Sequence, residues 1–143
     1  MTWGEIQIIS LQKMFAKDEP IQIEDLLDLK EDDDCSWYLS AMPAVCNEAI
    51  QRLKPYVKNM YEYNEEDQKY EKTAISKITT DTPDNEEIDL PEDACVLIPL
   101  YIASQLYKDD DISQATAYRN EFEAGLQDLL VNIENQESIE EVY

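Results

Sequence analysis

Acidic side chains are the main candidates for chemistry in this sequence. It contains 33 aspartate and glutamate residues, no histidine and two glycines. Without histidine, Ser-His and Cys-His nucleophile activation, histidine general-base catalysis and nearly all zinc sites are excluded. The two glycines, Gly4 and Gly125, cannot build a glycine-rich loop that cradles phosphate. A catalytic site would therefore have to be built from carboxylates.

Two pairs of acidic residues have a spacing that binds magnesium in some enzymes. Glu62 and Glu65 form an E-x-x-E pair, and Glu86 and Asp89 form a later E-x-x-D pair. The pattern resembles the signature of all-helical nucleotide pyrophosphatases, which clamp magnesium with carboxylates on facing helices. The second pair runs into Pro91, which disfavours a helix there, and such spacings arise by chance in so acidic a chain. We therefore predict that the protein is not an enzyme and has no catalytic, cofactor-binding or metal-binding residues.

Two acidic runs have a simpler explanation than metal binding. Asp109, Asp110 and Asp111 do not begin an EF-hand calcium loop, because Gln114 and Asn120 occupy the positions of its glycine and last glutamate. This run and residues 31–34 both precede helical patterns, where aspartate caps a helix and faces the positive end of its dipole. Asp34 is the predicted N-cap of the second helix, and Asp111 that of the fourth.

The three cysteines are interpreted as reduced core residues. Cys35, Cys46 and Cys95 are odd in number and contain no C-x-x-C pair. The first residues lack the basic region and apolar stretch of a signal peptide. No apolar run approaches the ~20 residues that span a bilayer. These features predict a soluble cytoplasmic protein.

A net charge of −22 restricts the partners of this chain. Such a surface repels phosphate backbones and anionic lipid, so ordinary binding to nucleic acid or membranes is not expected. Three roles for the charge remain besides a plain solvated surface. It can keep the protein soluble, imitate DNA, or line a passage to which DNA must not stick.

The apolar periodicity predicts a mainly α fold, a small bundle of about four helices. Thr2 and Glu5 have the spacing of a capping box at the start of the first helix, whose inward face should contain Ile8, Leu11 and Phe15. Pro43 should kink the second helix or mark its start, and Pro91 suits the first position of the third. The first predicted helix ends near residues 17–20, and the other three span about 34–54, 91–108 and 112–133. The short turn at residues 108–111 makes the last two an antiparallel αα-hairpin.

Two segments fall outside the helical pattern. Residues 55–90 are predicted to be a long protruding loop with short strands or a hairpin, because β-branched and tyrosine residues replace the helical spacing. Residues 134–143 are predicted to be an extended acidic C-terminal tail. Residues 1–133 would then be a single domain.

Five residues in these two segments are the candidates for partner contacts. Tyr61 and Tyr63 alternate in the predicted loop, where tyrosine suits a protein–protein contact. Ile139, Val142 and Tyr143 are the apolar residues of the acidic tail. We predict that both groups contact other protein chains.

The second half of the chain also resembles a known family. Residues 90–94 read LPEDA, residues 99–111 read PLYIASQLYKDDD, and residues 117–123 read AYRNEFE. These segments resemble the C-terminal half of head–tail connector adaptors (head-completion proteins) of tailed bacteriophages. Those proteins have an apolar helix ending in a Leu-Tyr pair, an acidic turn, and a helix with a Tyr-Arg-Asn run. Including an opening Met-Thr-Trp and an Ala-Met-Pro segment, the resemblance covers roughly residues 2–53 and 90–130.

The resemblance implies a structural subunit rather than a catalyst. Such proteins are helical bundles that assemble into a ring, usually a dodecamer, between the portal protein and a stopper or tail-completion protein. DNA passes through the ring channel without specific binding. The protein would belong to the virion at the head–tail interface, and to the host cytoplasm during assembly. The alternatives are an acidic DNA-mimic or inhibitor protein and, less favoured, a magnesium-dependent nucleotide pyrophosphatase.

Overall fold

The protein is mainly helical, as predicted. The computed structural model describes residues 1–15, 21–57, 61–66, 68–72 and 77–142, of which 61–64, 69–72 and 132–142 are described by their backbone alone. The helices are α1 (Trp3–Met14), α2 (Leu26–Glu31), α3 (Ser36–Leu53), α4 (Glu92–Cys95), α5 (Ile98–Leu106) and α6 (Ile112–Val142). Short 3-10 turns occupy Ile23–Asp25 and Lys54–Tyr56, and two strands are β1 (Tyr61–Asn64) and β2 (Lys69–Lys72).

Helix α1 begins with the predicted capping box. The Glu5 amide donates to Thr2 Oγ1 over 3.2 Å, and the Thr2 amide donates to Glu5 Oε1 over 3.4 Å, so each residue satisfies the other's free backbone group. The inward face differs from the prediction. Leu11 is fully buried as expected, but Ile8 is only half-buried and two polar residues, Gln7 and Ser10, are buried instead.

The start of α3 corrects another prediction. Asp34 is not the N-cap; Cys35 holds that position, and its side chain makes no cap hydrogen bond. The Asp32 carboxylate instead accepts the Asp34 amide over 2.8 Å in a local turn. Local aspartate–amide turns compete with capping, and here the turn ends before the helix begins. Pro43 is buried inside α3 and so does not mark the start of the helix.

The predicted third helix is two helices. α4 and α5 are separated at Val96 and Leu97, and Pro99 lies in the first turn of α5. Proline has no amide proton, and its ring clashes with the carbonyl four residues earlier, here that of Cys95. A continuous helix is therefore disfavoured at this point. Pro91 is the N-cap of α4 rather than its first residue.

Helix α5 is the centre of the fold and contacts α1, α3 and α6. The predicted antiparallel hairpin of α5 and α6 is observed. Tyr101 packs on Phe122, with ring centroids 5.1 Å apart, and Leu97 lies over Gly125. A Cβ atom at Gly125 would lie 2.3 Å from Leu97 Cδ2, so glycine permits the close approach of the two helices.

Residues 77–90 pack against the domain rather than protruding from it, which corrects the loop prediction. The Asn47 side chain pairs with the Ile78 backbone, donating to its carbonyl over 2.8 Å and accepting its amide over 2.9 Å. Further along, the Trp3 amide donates to the Glu86 carbonyl and the Gly4 amide to the Asp84 carbonyl, each over 2.8 Å. Ile78 is buried, and so are Ile88 and Leu90. Earlier in the same stretch, β1 pairs antiparallel with β2.

The prediction of an extended tail is wrong, because α6 continues as a helix to Val142. Residues 126–142 contain neither proline nor glycine and include five glutamine and glutamate residues after residue 133, which are good helix formers. Helical hydrogen bonds join residues four apart, so a helix can continue past the core without tertiary contacts. α6 is therefore a single element from the α5 turn to the C-terminal region.

Candidate interaction surfaces

The structure places four of the five predicted contact residues on two elements. Tyr61 and Tyr63 lie on β1, where they pair with Lys72 and Tyr70 of β2. Ile139 and Val142 lie in the last turns of α6. Tyr143 is outside the described residues.

The acidic pairs do not lie on helices. Glu62 is on β1 and Glu65 is in the following turn, while Glu86 and Asp89 are in the segment before α4. The pyrophosphatase pattern requires both pairs on facing helices, and the structure does not supply that arrangement. Within the described part of the chain, no group of three or more cysteine, aspartate or glutamate residues could hold a metal ion.

The C-terminal part of α6 continues for several turns after the last of its side chains that is described as buried. Among the side chains that the structure describes, Leu129 is the last one buried on this helix, and Leu130 and Val131 are 36% and 51% exposed. At 1.5 Å per residue, the helix from Leu130 to Val142 is about 20 Å long. The α5 partner cannot support this portion, because Leu97, just before α5, already lies opposite Gly125.

A cluster of aromatic rings occupies the other end of the helix bundle. Phe15 packs edge-on against Tyr38 with ring centroids 5.2 Å apart, and lies 6.3 Å from Tyr107. The Tyr38 hydroxyl donates a hydrogen bond to Asp110 in the α5–α6 turn. Burial and this carboxylate raise the pKa of Tyr38 to about 12. Next to Tyr38, Trp37 remains 58% exposed.

The aromatic cluster was not predicted from the sequence. Its residues come from three separate helices and have no common spacing. The Trp37-Tyr38 pair beside an acidic run was the only local signal. The cluster joins the ends of α1, α3 and α5, which explains the burial of Tyr38 without invoking a ligand.

A groove between α5 and α6 is the second surface that the sequence did not reveal. Its volume is ≈ 340 Å³, and its lining includes Gln105, Lys108, Ile112, Thr116, Arg119 and Asn120. None of the lining residues is acidic, although 33 of the 143 residues in the chain are. The groove is therefore a basic, acid-free surface on a strongly acidic protein.

A smaller cavity of ≈ 180 Å³ lies between α1, α2 and α3. Lys30 Nζ lies 3.1 Å from Asp84 Oδ1, and Gln7 Nε2 donates to the same oxygen over 2.9 Å. Because these polar groups satisfy one another, we interpret the cavity as part of the packing between the N-terminal helices and residues 77–90.

The cysteines are buried, as predicted. Burial raises the pKa of the Cys46 thiol to about 12 and that of the Cys95 thiol to about 11. Thiolate is the reactive form, so neither residue is suited to act as a nucleophile.

Comparison with known proteins gives no relative for this chain. No protein-family model, curated protein or solved structure matches it at a significant level. Among the described residues, the structure contains no helix with the length and apolar character needed to cross a membrane.

Proposed function

We propose that this protein is a structural subunit of a head–tail connector ring in a tailed bacteriophage. In this role it docks under the portal protein, joins a stopper or tail-completion protein below, and lines the channel through which DNA leaves. The single observation that carries the proposal is the long α6, whose backbone continues as a helix for about 20 Å after Leu129, the last α6 side chain described as buried. A helix of this length has surface to offer to another chain.

The projecting helix fits an assembling subunit better than a self-contained enzyme. Among the α6 side chains that the structure describes, Leu129 is the last one buried in the core, and the glutamate-rich segment that follows contains Ile139 and Val142 as apolar positions. A short helical segment without tertiary contacts is only marginally stable in water. Contact with a ring neighbour or with the portal protein would bury these positions.

The charge of the chain also supports a channel-lining role. Every subunit carries −22, so a ring multiplies negative charge around its central opening. DNA of the same sign is repelled from such a wall and does not bind to it during passage. The charge therefore favours transit without retention.

Electron microscopy of the protein mixed with portal particles tests the proposal. The expected result is additional ring-shaped density at the lower face of the portal. Co-sedimentation with portal particles gives a second measurement. Protein that stays in the supernatant, with portal particles of unchanged appearance, would contradict the connector role.

Deletion of residues 134–143 tests the part played by the projecting helix. We expect the melting temperature to change little, because the core residues described on α6, such as Phe122 and Leu129, are retained, while co-sedimentation with the portal or assembly of the ring weakens. A second variant replaces Ile139 and Val142 with serine and keeps the length and charge of the segment, so weaker binding by this variant would show that the apolar side chains make the contact. Full binding by both variants would show that this segment makes no partner contact.

A further inference from the structure

The groove between α5 and α6 differs in charge from the rest of the protein. Lys108 and Arg119 are two of only 11 basic residues in the chain, and both line the groove. Ile112, which is 66% exposed, adds an apolar contact point. Gln105 and Asn120 add amide groups that donate and accept hydrogen bonds. A ligand that fits this lining carries negative charge and a small apolar side chain.

The cations in the groove are weakly neutralised by their own chain. Arg119 Nε lies 4.0 Å from Glu123 Oε1, and the same oxygen is closer to Arg52, at 3.3 Å. The carboxylates of Asp110 and Asp111, in the turn beside Lys108, accept hydrogen bonds from the Tyr38 hydroxyl and the Gln114 backbone amide, which orient them within the turn. Lys108 and Arg119 are therefore the charged groups of the groove lining with which an incoming acidic group can pair.

The end of α6 has the complementary composition. Residues 134–143 contain Glu134, Glu137, Glu140 and Glu141, no basic residue, and the apolar Ile139 and Val142. The α6 side of the groove, which contains Arg119 and Asn120, and the acidic segment therefore belong to the same helix.

A chain cannot bring these two parts of its own α6 together. They belong to one continuous helix, and the 14 residues from Asn120 to Glu134 separate them by about 21 Å along its axis. A contact between them must therefore join two copies of the chain. When two copies exchange segments reciprocally, the contact gives a two-fold dimer. Repeated head to tail, the contact is heterologous and generates a ring when the rotation between neighbours closes.

We propose that the groove between α5 and α6 binds the acidic C-terminal segment of α6 from a second copy of this chain. This inference rests on the proposed ring and identifies the contact between neighbouring subunits. Repeated head to tail, the contact occupies every groove and every C-terminal segment in a closed ring. The negative charge of each segment pairs with Lys108 and Arg119 of the next subunit.

Charge reversal at each side of the contact tests the inference. The groove variant is Arg119→Glu, and its control is Lys77→Glu, which makes the same charge change at an exposed residue outside the groove. The segment variant combines Glu137→Lys with Glu141→Lys. Its control combines Glu24→Lys with Asp28→Lys, two exposed acidic residues that are also four apart. Circular dichroism first verifies that all variants are folded.

Sedimentation velocity measures the assembly. A salt concentration of about 0.15 M is used because its Debye length of about 8 Å screens charges that are far apart and leaves ion pairs in contact effective. We expect wild type and controls to self-associate, and each variant of the contact to require at least about tenfold higher concentration. A 1:1 mixture of the two variants should assemble at a lower concentration than either variant alone. The intact groove of one variant accepts the intact segment of the other, and the two reversed surfaces are also complementary in charge. Assembly of either variant like wild type, or no pairing in the mixture, would overturn the inference.

The failure of this contact is distinguishable from failure of the ring. If Arg119→Glu still forms rings on portal particles, the ring proposal stands and the groove inference is wrong. The groove inference is also wrong if wild type forms rings on portal particles but stays monomeric alone up to about 1 mM, where even a millimolar contact would be populated. If no rings form on the portal while the mixture still restores assembly, the groove contact stands and the connector proposal is wrong.

Discussion

Replacement of Phe122 by alanine tests whether α6 is a structural part of the core. Phe122 is fully buried and its ring lies 5.1 Å from that of Tyr101 on α5. Removing the ring loses about 1.5–3 kcal/mol of apolar burial, and the aromatic pair adds about 0.5–1.5 kcal/mol. With the cavity left behind, Phe122→Ala should lower the free energy of unfolding by about 3–5 kcal/mol. That is a large share of the ~5–15 kcal/mol that stabilises a typical domain.

Urea denaturation followed by circular dichroism measures this loss. Dilute protein should be used, because self-association would add stability that depends on concentration. Gln127→Ala, at an exposed position on the same helix, is the control and should change stability by no more than about 0.5 kcal/mol. A loss below about 1 kcal/mol for Phe122→Ala would refute the packing of α6 on α5, since a fully buried phenylalanine cannot be removed so cheaply.

Three further predictions concern the segment 77–90, the thiols and the response to alkali. Asn47→Ala removes both hydrogen bonds to the Ile78 backbone, so it should cost about 1–3 kcal/mol and speed hydrogen exchange of the Ile78 amide, whereas exposed Gln51→Ala should do neither. The three buried cysteines should resist a thiol reagent such as DTNB in the native protein and react on unfolding; fast reaction of any of them would contradict their burial. The raised pKa of Tyr38 keeps its phenol neutral in the folded state, so its contribution to stability is complete below a pH of about 10 and is lost as the pH rises through about 12. Denaturation curves across this range should show a smaller decline for Tyr38→Phe, and parallel declines would show that Tyr38 does not carry the effect.

The proposed connector role and the proposed groove contact make separate demands on the molecule. The first requires the protein to join a portal, and the second requires two copies to join each other through opposite parts of α6. The acidic surface suits both, because it repels DNA from a channel and leaves the basic groove as a distinct place where an acidic segment can bind.

The sequence by itself determined the features that depend on neighbouring residues. The Thr2–Glu5 capping box, the αα-hairpin around Asp111 and the mainly helical character all follow from spacings of three or four residues. The burial of the cysteines also followed from their composition and context. Hydrogen bonds within a helix are local, so a pattern in the chain is sufficient to predict them.

Contacts between distant residues were decided only by the tertiary structure. The Asn47 side chain pairs with Ile78, and the Phe15 ring meets Tyr38, although nothing in the intervening sequence marks either pair. The groove likewise exists only because α6 returns along α5 and brings Lys108 and Arg119 to one surface. The length of α6 also differs from the prediction of an extended acidic tail. The helical propensity of residues 134–142 and the packing of Phe122 earlier in the same helix favour its continuation to Val142. Periodicity assigns residues to elements, but the packing of those elements on one another decides which side chains meet.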